Sequence, residues 1–133
     1  MSAYRKDYVI YRLSKAYESF EDAKLLAENE SWNASINRPY YACYYAVSAL
    51  LLQKEISTQT HTGLKTQFNL LFIKTGIISV EQGRLYADLM DLRQKGDYGD
   101  MFDFDKEGVE PLLKPVGELL DTIRAQLGSL NDD

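Results

Sequence analysis

Asn37-Arg38-Pro39-Tyr40-Tyr41-Ala42-Cys43-Tyr44-Tyr45-Ala46 is the stretch on which the reading of the fold turns. Its four tyrosines fall in two i,i+4 pairs, Tyr40 with Tyr44 and Tyr41 with Tyr45. On a helix each pair shares a stripe. Ala42, Ala46 and Ala49 make a further stripe, small enough to admit another backbone. Asn37 and Arg38 stand just upstream, where polar groups can face a cleft. An ordinary core helix would be rich in leucine. This segment therefore either builds a polar-lined packing surface or displays a site.

Working outward, the N-terminal side shows the clearest periodicity. Val9, Leu13, Ala16, Phe20, Ala23 and Ala27 step by 4, 3, 4, 3 and 4, one apolar stripe on a helix from about Ala3 to about Glu28. Arg12, Lys15, Glu18, Glu21, Asp22 and Lys24 form its solvated face. A short connection, Asn29-Glu30-Ser31, suits an antiparallel helix pair. The second helix then runs from about Trp32 or Ser35 to about Lys54. Pro39 removes one helical hydrogen bond and disfavours helical geometry at Arg38. Either Asn37 caps a helix that begins there or a continuous helix bends near Pro39. The helical spacing of Trp32, Ile36 and Tyr40 favours the bend.

Ile56 to His61 is polar and unperiodic, a loop. A third helix follows over about Thr62 to Lys74, with Leu64, Phe68, Leu71 and Phe72 inward and Gly76 as its stop. Ser79-Val80-Glu81-Gln82 has capping-box spacing and opens a fourth helix with Leu85, Leu89 and Leu92 on one face, which Gly96 is expected to end. Gly96 to Asp105 reads as a turn-rich loop. A last helix carries Val109, Leu112, Val116, Leu120, Ile123 and Leu127. Pro111 and Pro115 both fall in its first half, so a bend or a late start is expected. Gly128 closes it. Nothing reads as a strand. Residues 1–133 are thus one all-α domain, a bundle of about five helices with the first two as a long antiparallel pair.

Bulk properties narrow the function. The 133 residues suffice for a core without staples, and 45% hydrophobic with 26% charged residues is the composition of a soluble domain. A net charge of −5 argues against coating long duplex DNA, while leaving room for a local basic pocket. One cysteine, Cys43, and one histidine, His61, provide no Cys/His metal set. No cofactor motif appears: no P-loop, no dinucleotide turn, no HExxH, and too few carboxylates around Gly96 to Asp100 for a calcium loop. No signal-peptide layout opens the chain and no apolar run could cross a bilayer, so a cytoplasmic protein is expected.

The polar candidates each have two readings. His61 is either a general acid or base, or a capping histidine. Arg38 either clamps a phosphate or pairs with an acidic neighbour. Arg93, with Asp97 and Tyr98 within the next turn, either lines a polar cleft or braces the loop that follows. The tyrosines suit either base stacking or core packing.

Asn37-Arg38-x-Tyr40-Tyr41-Ala42-x-x-Tyr45-Ala46, His61-x-Gly63, Lys74-Thr75-Gly76 and Leu92-Arg93-x-Lys95-x-Asp97-Tyr98-Gly99 together resemble the HEPN domain, in its small stand-alone prokaryotic branch, from about Ala16 to Gly128. The resemblance implies an up-and-down bundle of four or five helices, a homodimer with a shared cleft, and association with nucleotides and RNA. It also implies a minimal nucleotidyltransferase as partner in a two-gene toxin–antitoxin module. Some family members are metal-independent ribonucleases with an Arg-x4–6-His motif. There the arginine stabilises phosphate charge and the histidine assists proton transfer. That arginine falls on Arg93, and Tyr98 stands in place of the histidine. A phenol, with a pKa near 10, is a poor general base. Pro39 also replaces the family's usual small helix-former.

The expected site is accordingly a binding cleft of Asn37, Arg38, Tyr41, Tyr45, Arg93, Asp97 and Tyr98. Arg93, Tyr98 and His61 are the catalytic candidates of the competing ribonuclease reading. A third reading is a structural dimer.

Overall fold

The computed structural model describes residues 2–98 and 103–128. Helix α1, Ala3–Glu28, starts where the Ser2 hydroxyl accepts the Arg5 N–H at 3.1 Å. Its apolar stripe puts Val9, Ala16, Ala23 and Ala27 in the core, as the 3.6-residue period requires. The one-turn α2, Trp32–Ser35, and the long α3, Asn37–Gln53, form one rod interrupted at Ile36. The interruption lies upstream of the bend expected at Pro39. Ile36 keeps helical angles, φ −60° and ψ −31°, so the rod continues in direction. Pro39 sits in the first turn of α3, where its missing N–H is least costly, and the Ser35 carbonyl loses the partner it would have had. Ser35 instead donates its buried hydroxyl to the Ala23 carbonyl at 2.9 Å, fastening this corner to α1. Asn37 caps nothing with its side chain.

α1 and α3 are antiparallel. Cross-links run in opposite chain order, Arg5 to Glu55, Arg12 to Ser48 and Asp22 to Arg38. The facing alanines, Ala16 and Ala23 on one helix and Ala42, Ala46 and Ala49 on the other, are all fully buried. α3 is the central rod, touching α1, α5 and α6.

Helix α4, His61–Phe68, begins one residue earlier than expected. The Thr60 hydroxyl caps it by accepting the Gly63 N–H at 2.8 Å. It passes into a π-helical turn, Asn69–Ile73, and ends near Gly76, whose φ of +80° only glycine adopts freely. Ser79 caps α5 through the Gln82 N–H, 3.1 Å away. The Gln82 side chain reaches back to the Ser79 hydroxyl rather than to its N–H, its Oε1 accepting at 3.3 Å, while its Nε2 donates to Thr122 of the last helix at 3.0 Å.

α5 spans Val80–Tyr98 and does not end at Gly96. That glycine serves close approach rather than termination. A Cβ there would stand 2.5 Å from Asn37 Oδ1 and 3.2 Å from Ile36 Cγ2. Gly96→Ala would gain about 1 kcal/mol of helix propensity. It must also displace a buried amide that is bonded to Asp97. A net destabilisation of about 1–2 kcal/mol in urea melts is expected.

α6 runs over Lys106–Leu127 without a break at Pro111 or Pro115, so the late start does not occur. Both prolines and Glu107 are exposed, which leaves the unpaired carbonyls on the solvent side, where water can reach them. Among the described residues every element is helical. No described helix is long and apolar enough to cross a membrane. Of the loop expected over Gly96 to Asp105, Gly96 to Tyr98 is helical and 103–105 belongs to no helix; residues 99–102 and the tail beyond Gly128 lie outside the described residues.

Candidate functional site

Two concavities flank the tyrosine segment of α3. The first, about 530 Å³, is lined by Ser19, Asn33, Ala34, Asn37, Arg38, Tyr41 and Tyr45. The two tyrosines come from the i,i+4 stripe, and Asn37 and Arg38 from the turn before it. Arg38 pairs with Asp22 on α1 at 3.2 Å. Both side chains are nearly half exposed, 46% and 44%, so the pair is screened and worth at most about 1 kcal/mol. The guanidinium is therefore not consumed by it.

Arg93 and Asp97 lie behind this cavity rather than in its lining. Arg93 Nε is 3.0 Å from Asp97 Oδ2, an ion pair one helical turn apart, with the N–H not aimed for a hydrogen bond. Asp97 Oδ1 accepts from Asn37 Nδ2 at 2.6 Å. The Arg93 guanidinium sits 5.7 Å from the centre of the Tyr40 ring and 5.8 Å from that of Tyr41. Arg93–Asp97–Asn37 is thus a relay that fixes two lining residues, Asn37 and Tyr41. Asn37 Oδ1 is buried without a donor. The backbone of Tyr98 ends α5; its side chain lies outside the described residues.

Asn33 was not legible as a site residue. Its amide donates to Asp103 at 3.2 Å and its carbonyl oxygen accepts the Phe104 N–H at 2.7 Å, so it ties the segment after α5 to the cavity rim.

The second concavity, about 260 Å³, opens on the other side of Tyr40 and Tyr44 and includes His61, Arg5, Arg12 and Ser48. Arg12, expected on a solvated face, is half-buried and donates to the Ser48 hydroxyl at 2.7 Å. His61 does double work at the start of α4. Its Nδ1 shares a 2.5 Å hydrogen bond with the Tyr40 hydroxyl, and its ring lies 4.6 Å from that of Tyr44. Burial pushes the Tyr40 phenol up to about 12, so it keeps its proton. Burial, then the nearby Arg93 charge, lowers the His61 pKa, so the imidazole stays neutral near pH 7. The Tyr40 hydroxyl also faces the Tyr86 hydroxyl, and the direction of its hydrogen bond to Nδ1 follows the tautomer of the ring. Nδ1 is engaged by Tyr40, and Nε2 is the other ring nitrogen. His61, Tyr40 and Arg93 form a contiguous set.

This arrangement predicts a pH effect. A lowered folded pKa means that the unfolded chain takes up a proton first as pH falls below the ordinary value of about 6.5. The His61 contribution is complete above that pH and is lost below it. His61→Gln keeps an acceptor for Tyr40 and does not titrate. The difference in unfolding free energy is expected to move in the variant's favour between about pH 7.5 and about pH 5. A difference independent of pH would contradict the burial of a neutral ring.

Cys43 is buried, and burial pushes its thiol pKa up, so it is an inert core residue. Among the described residues no group of His, Cys, Asp and Glu could hold a metal ion.

Comparison with known proteins gives a consistent picture. Residues 9–126 match the profile of the HEPN domain. The chain is 39% identical over 120 residues to a "UPF0332 protein" of Thermotoga maritima, covering 90% of this chain and 91% of that one. It is 34% identical over 119 residues to a Methanocaldococcus jannaschii protein named "Putative toxin", covering 90% and 81%. A second protein of that name and organism is 36% identical over 83 residues, 62% of each chain.

Proposed function

The chain belongs to the HEPN family, and from that premise we propose that it acts by binding rather than by cleaving. It is a nucleotide- or RNA-associated helical protein, a homodimer, and the partner of a minimal nucleotidyltransferase in a toxin–antitoxin-type module. The toxin names of two relatives support the module. The observation that carries the binding reading is the state of the would-be catalytic groups. Arg93 is only 16% exposed and is paired with Asp97, and His61 is held through Nδ1 by Tyr40. Ligand contact falls instead to the cavity of Asn37, Arg38, Tyr41 and Tyr45, where a guanidinium can meet phosphate and two phenol rings can meet a base.

A ribonuclease with a divergent centre is the second reading. The contiguity of His61, Tyr40 and Arg93 favours it. One titration separates the two. Short single-stranded RNA should bind without being cut, and Arg38→Gln should weaken binding about tenfold, the worth of a charge-assisted contact. Binding indifferent to Arg38→Gln would remove the proposed cavity from contention.

A further inference from the structure

We propose that the cavity bounded by α1, α3 and the start of α4 is a separate site for the phosphate of a small phosphomonoester, with Arg12 as its charged anchor. The proposal does not depend on the reading above, because this cavity shares no lining residue with the one at Asn37.

Arg12 is half-buried and has no carboxylate partner among the described residues. Only Nη1 is engaged, by the Ser48 hydroxyl and carbonyl, both neutral acceptors. A guanidinium partly withdrawn from water and left uncompensated is a place where an anion gains the most. The surrounding donors are numerous for so small a space. His61 Nε2 is the nitrogen left free by the Tyr40 bond and donates in the tautomer whose Nδ1 accepts from Tyr40, and the Thr58 hydroxyl and Arg5 also line the cavity. Together they offer enough donors for the oxygens of a tetrahedral dianion. At about 260 Å³ the cavity holds a phosphate with a small attached group, not a whole dinucleotide.

The mouth carries one carboxylate, Glu55, which pairs with Arg5. Glu55 stands at φ +62°, a left-handed position just past α3 that glycine would occupy without strain. Keeping glutamate there has a physical use if its carboxylate occupies Arg5 while the cavity is empty. A bound phosphate would compete for the same guanidinium.

The test uses the full chain, titrated with ribose 5-phosphate, inorganic phosphate and ribose, and followed by calorimetry or amide NMR shifts. The two phosphate-bearing probes are expected to bind and ribose is not. Arg12→Gln should weaken binding at least about tenfold. Glu55→Gln, at an exposed position that leaves the core intact, should strengthen it about two- to fivefold by removing the competing charge. The opposite signs keep the test meaningful even if Arg12→Gln perturbs folding. Absence of binding at millimolar phosphate, or no strengthening in Glu55→Gln, would overturn the proposal. Binding lost in Arg38→Gln but retained in Arg12→Gln would also overturn it and would place the phosphate in the other cavity.

Discussion

Tyr40→Ala is expected to cost about 3–5 kcal/mol of folding stability, the range for removing a large buried aromatic. Tyr40 is fully buried at the crossing of three elements. Its ring stacks on Tyr86 of α5, with centroids 5.9 Å apart and planes 4° from parallel. Its face receives Arg93, and its hydroxyl holds His61. Truncation opens a cavity, frees the ring of His61 and removes one of the two surfaces under Arg93. Tyr40→Phe separates these effects. It keeps the volume and loses only the hydroxyl, so about 1–2 kcal/mol is expected. Urea melts of both variants check the pair. A Tyr40→Ala cost under about 1 kcal/mol would mean that this ring is not a keystone.

Arg93→Ala is the second large effect. The side chains of Arg93 and Asp97 are 16% and 27% exposed, so Asp97 would be left partly withdrawn from water with only Asn37 as partner. A fully buried pair broken on one side costs about 3–5 kcal/mol; partial solvation here brings the expectation to about 2–3. The double variant Arg93→Ala/Asp97→Ala should recover part of that loss, because no orphan charge remains. A coupling of about 1 kcal/mol or more is expected from the four-member cycle. Strict additivity would contradict the relay from Arg93 through Asp97 to Asn37.

The helices were legible because buried positions repeat at the helical period. Val9 through Ala27 and Val109 through Leu127 needed no tertiary knowledge. Features set by distant partners were not legible. Gly96 looked like a stop because nothing in its neighbourhood shows that Asn37 and Ile36 come within a methyl's reach of it. Arg12 looked solvated because Ser48, the residue that turns it inward, is 36 positions away. The Asn37, Arg38, Tyr41 and Tyr45 group could be read because a little over two helical turns carry all four. His61 could not be joined to Tyr40 from sequence, since an intervening loop decides where α4 starts. Asn33 carried no signal of its own; its role appears only with the segment it holds.

Arg93 as a brace and His61 as a held, neutral ring are the two supports of the proposal that this protein binds RNA without cutting it. The most direct measurement incubates end-labelled single-stranded RNA with the wild-type protein in excess chelator and scores binding and chain length together. A retarded but full-length RNA, with Arg93→Ala altering protein stability and not RNA length, is the predicted result. Metal-free cleavage that disappears in Arg93→Ala or His61→Gln, at a temperature where both variants remain folded, would contradict it.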